Sequence, residues 1–313
     1  MAGRTFGRFE TAALRVHGVA GSSRWRPWLF GAAALVFIGI SIVSYASLPT
    51  DVSISPWLFI VLVVVAVPAT VLANAAEYVV IARISEHQVA PAEAARLTVA
   101  ATAANLLPLP GGVLIRTQAL KLKGASYRTA LGANACAGLA WLGSAALGVA
   151  VVAFVQGGHR AAASVVAAVG LAIIGATLAL LIRIRSAAAV RRLYELLLVE
   201  LLTVAVSSVR VYVAFRMIGL DATATQSVAL TGATILAAAV GIFPGGLGLR
   251  EALAGAIGAV VSLPASEAVA ATAADRIAGL VGISLIAGLL AGFGWRIRNR
   301  EPVAPAATEI TRS

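Results

Sequence analysis

Two short segments of this 313-residue chain carry the residues best suited to chemistry. The first reads Asn105-Leu-Leu-Pro108-Leu-Pro110-Gly111-Gly112-Val-Leu-Ile-Arg116 and the second Gly241-Ile-Phe-Pro244-Gly245-Gly246-Leu-Gly248-Leu-Arg250-Glu251. In each, an arginine follows the proline of Pro-Gly-Gly by six positions, and Pro110 and Pro244 lie 134 positions apart. Proline lacks an N–H and glycine accepts positive φ, so Pro-Gly-Gly ends one helical segment and opens the next. The opened segment presents unpaired N–H groups and the positive end of its dipole, which suits an anion and phosphate above all. Arg116 and Arg250 are expected about one turn into their segments, where a guanidinium grips phosphate with two donors. Asn105 is placed to cap the segment or to contact the same group. The other role open to each arginine is to neutralise a neighbouring carboxylate.

The setting of these motifs follows from composition. Hydrophobic residues make up 60% of the chain and charged residues 12%, about half the roughly 25% charged residues of a soluble domain. A water-soluble enzyme and a disordered chain are both excluded, which leaves an all-α polytopic membrane protein. Spanning about 30 Å of hydrocarbon takes roughly 20 apolar residues. Six segments meet that length: about 28–47, 57–82, 129–155, 161–183, 193–216 and 266–295. Two more apolar stretches, about 92–123 and 223–262, are the ones broken by the motifs.

Basic residues set the orientation. Arg4, Arg8, Arg15, Arg24 and Arg26 crowd the first tail, Arg183, Arg185, Arg191 and Arg192 the 183–192 connection, and Arg296, Arg298, Arg300 and Arg312 the last tail. Cytoplasmic loops collect Lys and Arg, so all three are expected inside, and most of the net charge of +11 is an orientation signal. Six crossings agree with both termini inside, provided each broken stretch returns to the side it entered. Each is therefore expected to be a re-entrant helical hairpin; the alternative is a kinked full span.

The start of the first span, moved on by 134 positions, falls at 162, where the fourth span begins. The expected architecture is an inverted repeat, each unit of three spanning helices plus one re-entrant hairpin broken at Pro-Gly-Gly. A cytoplasmic basic tail (1–27), a first repeat (28–155), a second, inverted repeat (161–295) and a cytoplasmic tail (296–313) make up the chain. Transporters of this layout hold substrate near the midplane, where broken helices of both repeats meet.

Charges inside the apolar spans form a second set of candidates: Glu77, Glu200, Arg210, Asp275 and Arg276. At a helix centre an ionised side chain costs about 2.5–3.5 kcal/mol, so such residues face a protein interior or a wet cavity. Glu77, Glu200, Arg210 and Asp275 are read as coupling or charge-pairing residues, with proton coupling through Glu77 or Glu200 and mutual pairing both open. Gly288 and Gly292, at small-xxx-small spacing, are expected in close contacts within the chain. His17, His87 and His159 are scattered and Cys136 lies in an apolar run, so neither a metal site nor a cofactor is expected. No basic run is interleaved with aromatics in a soluble segment, which argues against nucleic acid, and no Walker motif, nucleophile elbow or nucleophile–base pair can be named.

The segment Asn105–Arg116, the segment Phe243–Glu251 and the later Asp275-Arg276 resemble the lysylphosphatidylglycerol synthase transmembrane region, a flippase-like domain, over about residues 28–295. The resemblance implies a lipid flippase of the cell inner membrane, moving a phospholipid between leaflets. By matching position, Asn105, Pro110 and Arg116 fall on the family's first motif, Pro244, Gly245, Gly248, Arg250 and Glu251 on its second, and Arg276 on the arginine of its last long span. Family members that make lysyl lipid carry a soluble aminoacyl-transfer domain, and no segment here reads as one. The chain is therefore expected not to be an enzyme and to take its lipid from elsewhere.

Taken together, these features lead to a lipid flippase or transporter for an amphiphile with an anionic, phosphate-containing head group. Asn105, Pro110, Gly111, Gly112 and Arg116 of the first break, and Pro244, Gly245, Gly246, Gly248, Arg250 and Glu251 of the second with Arg276, are its candidate binding residues. Alternatives from other classes are a small-solute or ion secondary transporter and a non-catalytic partner of a lipid-modifying transferase. Cargo, direction and oligomeric state are open at this point.

Overall fold

In a bilayer every backbone N–H and C=O must find its partner inside the protein, and an uninterrupted apolar run achieves this as a helix. The computed structural model of the protein describes residues 35, 38–39, 41–48, 53–105, 111–156, 160–184, 188–240, 246 and 248–298. Its main elements are α1 (Pro56–Ile84), α2 (Pro91–Ala104), α3 (Gly111–Leu122), α4 (Tyr127–Gln156), α5 (Arg160–Arg183), α6 (Ala189–Met217), α7 (Ala224–Val240), α8 (Leu249–Val260) and α9 (Ala265–Arg298). Helices α1, α4, α5, α6 and α9 are long and apolar enough to cross a membrane. They coincide, within a few residues at each end, with five of the six expected spans. Half of the span expected at 28–47 lies outside the described residues, and 41–46 are helical. The tails at 1–27 and 299–313 lie outside them too.

Helix α1 contains a local irregularity with a covalent cause. Leu62–Ala66 widen into a π-helical turn just before Pro68. Proline brings no N–H, and its ring crowds the carbonyl four residues back; a wide turn accommodates both.

Helices α1 and α6 form an antiparallel pair whose register is fixed at three levels. Arg83 pairs with Glu195 at 3.8 Å, Arg210 donates to the Thr70 hydroxyl at 3.2 Å, and the Ser55 N–H donates to the Met217 carbonyl at 2.7 Å. The carboxy-terminal ends of α1 and α6 therefore lie at opposite ends of the bundle.

Each of those ends leads through a short connection into a broken stretch. Helices α2 and α3 pack on each other and fold back: Lys123, past the end of α3, reaches Glu93, in the first turn of α2, at 3.1 Å. Likewise α7 and α8 pack together, and Gln226, near the start of α7, donates to the carbonyl of Val261, just past α8, at 3.0 Å. Both pairs are hairpins of short helices, and they open toward opposite ends of the bundle.

Packing follows the same division. The first hairpin's Leu97, Ala119 and Leu120 share a core with Tyr78 and Ile81 of α1 and Leu196 of α6. The second hairpin's Leu230, Ala233 and Ala254 share another with Leu62 of α1 and Phe215 of α6. A third apolar group, Val71, Val99 and Ile283, joins α1, α2 and α9 between them. Large apolar side chains such as Leu72, Leu201 and Leu289 are exposed, as lipid-facing positions would be. Cys136 is a free, buried thiol in the first core. Gly288 and Gly292 meet none of the described residues closely. No described atom lies within 4 Å of a Cβ built on either, because α9 turns this face away from its described neighbours.

Candidate functional site

The first break is shaped by close approach. A Cβ on Gly111 would lie 2.5 Å from the Ala104 carbonyl oxygen, so only glycine lets the two arms of the hairpin come this near. The Gly112 N–H donates to the Asn105 side-chain oxygen at 2.7 Å. Asn105 thus caps α3 and satisfies one of the N–H groups that sequence reasoning offered to an anion. Arg116 is the sixth residue of α3, a turn and a half in, and points at α1, where its Nη1 meets a Glu77 carboxylate oxygen at 3.0 Å. Tyr78 braces the pair: its hydroxyl donates to the Arg116 carbonyl at 3.3 Å, and its ring centroid lies 5.9 Å from the guanidinium carbon.

Glu200 completes this cluster from α6. The register of α1 against α6 brings it level with Glu77, and Glu77 and Arg116 are the charged groups that act on it. Its residue is 1% exposed, and one of its carboxyl oxygens has no hydrogen-bond partner among the described residues.

The second break has different backbone geometry. Gly246 and Gly248 adopt φ of 68° and 77°, so the chain makes an extra left-handed step before α8 begins at Leu249. Arg250 is in consequence the second residue of its helix and not a full turn in. Glu251 is 0% exposed; one carboxylate oxygen accepts from the Gly248 N–H at 2.9 Å and the other meets Arg276 at 2.9 Å. Arg276 also donates to the Gly246 carbonyl at 3.2 Å. One side chain of α9 therefore holds both Gly246, within the break, and Glu251, in the first turn of α8.

Asp275, beside it, joins three helices. Its two oxygens meet Arg250 of α8 at 2.7 Å and Arg210 of α6 at 2.9 Å, and Arg210 reaches on to Thr70 of α1. Gly279, one turn along α9, leaves room for this, since a Cβ there would sit 3.0 Å from an Arg210 nitrogen.

The candidate residues thus gather into two clusters. Glu77, Asn105, Gly111, Gly112, Arg116 and Glu200 form the first; Arg210, Gly246, Gly248, Arg250, Glu251, Asp275 and Arg276 form the second. Pro110, Pro244 and Gly245 lie outside the described residues. Along α1 the clusters are separated by the seven residues from Thr70 to Glu77, about 10 Å, and Val71, Val99 and Ile283 pack at the level between. Among the described residues, no group of three or more His, Cys, Asp or Glu could hold a metal ion. Sequence reasoning missed Thr70, Tyr78 and Gly279. A lone threonine, tyrosine or glycine in an apolar span reads as packing until the arginine opposite it is known.

The model of the lysylphosphatidylglycerol synthase transmembrane region matches residues 18–287, and the chain belongs to that family. No curated protein and no solved structure matches it. Family and helices together make this an integral, multi-pass membrane protein of a lipid-related family.

Proposed function

We propose that this member of the family translocates a lipid with a phosphate-containing head group between the leaflets of the bacterial cytoplasmic membrane. The observation that carries the reading is the pair of hairpins. They open at opposite ends of the bundle, and each places an arginine held by a carboxylate next to its break. Arms of 14 and 12 residues in the first hairpin and 17 and 12 in the second reach about 18–26 Å, short of the roughly 30 Å of hydrocarbon. Both are therefore read as re-entrant, entering from opposite faces, as an inverted repeat requires.

Orientation comes from the basic residues. Arg83, Lys121, Lys123, Arg128, Arg183, Arg191 and Arg192 lie at the end where the first hairpin opens, and Arg160 and Arg216 at the other. The first end is cytoplasmic on the positive-inside rule, which puts both termini inside.

A phosphate entering from the cytoplasmic side meets Arg116 and replaces Glu77 as its partner; from the outer side it meets Arg250. Acyl chains stay in the surrounding lipid while the head group passes the apolar level at Val71, Val99 and Ile283. The protein changes where the lipid is and not its covalent structure. In proteoliposomes carrying fluorescent phosphatidylglycerol, dithionite quenching should reveal exchange between leaflets. Arg116→Ala and Arg250→Ala should each slow it by about tenfold or more, the worth of one charge-assisted contact. Unchanged rates in both variants would end the proposal.

A further inference from the structure

Three carboxylates among the described residues are buried to 3% exposure or less: Glu200, Glu251 and Asp275. Glu251 and Asp275 each meet arginine within 3 Å. Among the described residues, no ion pair or hydrogen bond reaches Glu200, and one of its carboxyl oxygens is buried without a partner. The first cluster, counted as ionised, holds two carboxylates against one arginine, and that arginine already belongs to Glu77.

The described neighbours offer nothing to correct the imbalance. From α1, Glu77 and Tyr78 face this level, and from α3 Arg116. Helix α7 contains no charged side chain, and α4 and α5 carry theirs only at their ends, Arg128, Arg160 and Arg183. On α9, Asp275 and Arg276 are committed to the second cluster, Glu267 lies in the first turn, and Arg296 and Arg298 belong to the last turn, some twenty residues beyond Asp275. On α6 itself, Glu195 is engaged with Arg191 and Arg192, and Arg210 with Asp275. An ionised carboxylate with no counter-charge in an apolar interior is disfavoured by several kcal/mol, and the group takes a proton instead.

We infer that Glu200 holds a proton in the resting protein, and that a phosphate head group taking Arg116 brings a second proton onto Glu77, so that head-group entry and proton uptake are one event. Only the second part rests on reading the breaks as head-group sites. The charges balance. At rest, Glu77 and Arg116 cancel and Glu200 is neutral. When a phosphodiester monoanion takes the guanidinium, Glu77 loses its counter-ion and binds one proton from water, so one negative and one positive charge enter together. Glu200 stays neutral, and its unpartnered oxygen is an acceptor through which that proton can pass.

Each part has its own test on the full chain. Infrared difference spectra of the protein in lipid, recorded across pH, should show the carbonyl band of a buried protonated carboxyl. The band should be lost in Glu200→Gln and kept in Glu200→Asp. Its absence from the native protein or its persistence in Glu200→Gln would overturn the assignment. Dihexanoyl phosphatidylglycerol binding to the detergent-solubilised protein, followed calorimetrically in two buffers of different ionisation heat, should take up about one proton per lipid, and none in the double variant Glu77→Gln/Glu200→Gln, which has no acid left to receive it. Binding without proton uptake would overturn the coupling alone. No binding by the native protein would overturn the head-group reading and the coupling with it, while the infrared band still decides Glu200.

Discussion

The two breaks share a motif, and the clusters built on them have opposite charge balances. Around the first stand Glu77, Glu200 and Arg116, two acids against one base; around the second stand Arg210, Arg250 and Arg276 against Asp275 and Glu251. The second is a closed network. Asp275 ties α6, α8 and α9, Arg276 ties the break to α9, and Glu251 caps its own helix. The first is held by one ion pair, braced by Tyr78, with a carboxyl beside it that no described group engages. A closed network resists rearrangement, whereas one ion pair beside an uncommitted acid can exchange partners at little cost. The second cluster is therefore the anchor of the bundle and the first its movable part.

The largest effect should come from breaking the anchor. Asp275→Asn leaves Arg210 and Arg250 without a counter-charge in a site where Asp275 was 3% exposed. Removing one partner of a buried ion pair costs about 3–5 kcal/mol. The unfolding midpoint of the purified protein in detergent should fall accordingly. A fall no larger than that of Glu77→Gln would erase the distinction between the clusters.

How much of this the sequence revealed depends on how local each signal is. Apolar runs of span length are local, and the five described spans start and stop within a few residues of their expected places. The breaks were legible for the same reason, because Pro-Gly-Gly acts on its own backbone. Arg250 was misplaced by most of a turn. Its position depends on Gly248 taking a second left-handed step, and a glycine in sequence permits that step without requiring it. Which acid each arginine meets was not legible at all. Arg116 and Glu77 are 39 residues apart and Arg210 and Asp275 are 65, and only the folding of α3 back against α1 and the packing of α9 on α6 bring them together. The tilt of the charge balance, two acids to one base and then two to three, is a property of those meetings.

A smaller effect tests the backbones of the two breaks against each other. At Gly248, φ of 77° lies where a side chain is strained, and Gly248→Ala should cost about 1–3 kcal/mol. At Gly112 the obstacle is the Asn105 side chain, 2.7 Å from the new Cβ. Gly112→Ala displaces that cap and should cost about 1 kcal/mol. Both are read from the same unfolding midpoints. Equal losses would mean that the second break is no more rigidly built than the first.

The smallest single effect carries the sharpest test. Glu200→Gln removes a carboxyl that is neutral in the resting protein and replaces it with a neutral group of the same shape, so stability should change by less than about 0.5 kcal/mol. Glu77→Gln strands Arg116, yet Glu200 lies level with it and can give up its proton to become the new partner; the loss should stay near 1 kcal/mol, well below the roughly 3–5 kcal/mol of a broken buried pair. The double variant has no acid left to make that exchange. Its loss should exceed the sum of the two single losses by about 1–3 kcal/mol, a coupling energy characteristic of groups in one network. Additive losses would mean that Glu200 does not stand in for Glu77, and the picture of a movable first cluster would fail there. The same cycle built on Asp275 and Glu251 should be closer to additive, because Glu251 cannot reach Asp275's arginines without unmaking its cap at Gly248, and Asp275 cannot reach Arg276 without leaving Arg210 or Arg250.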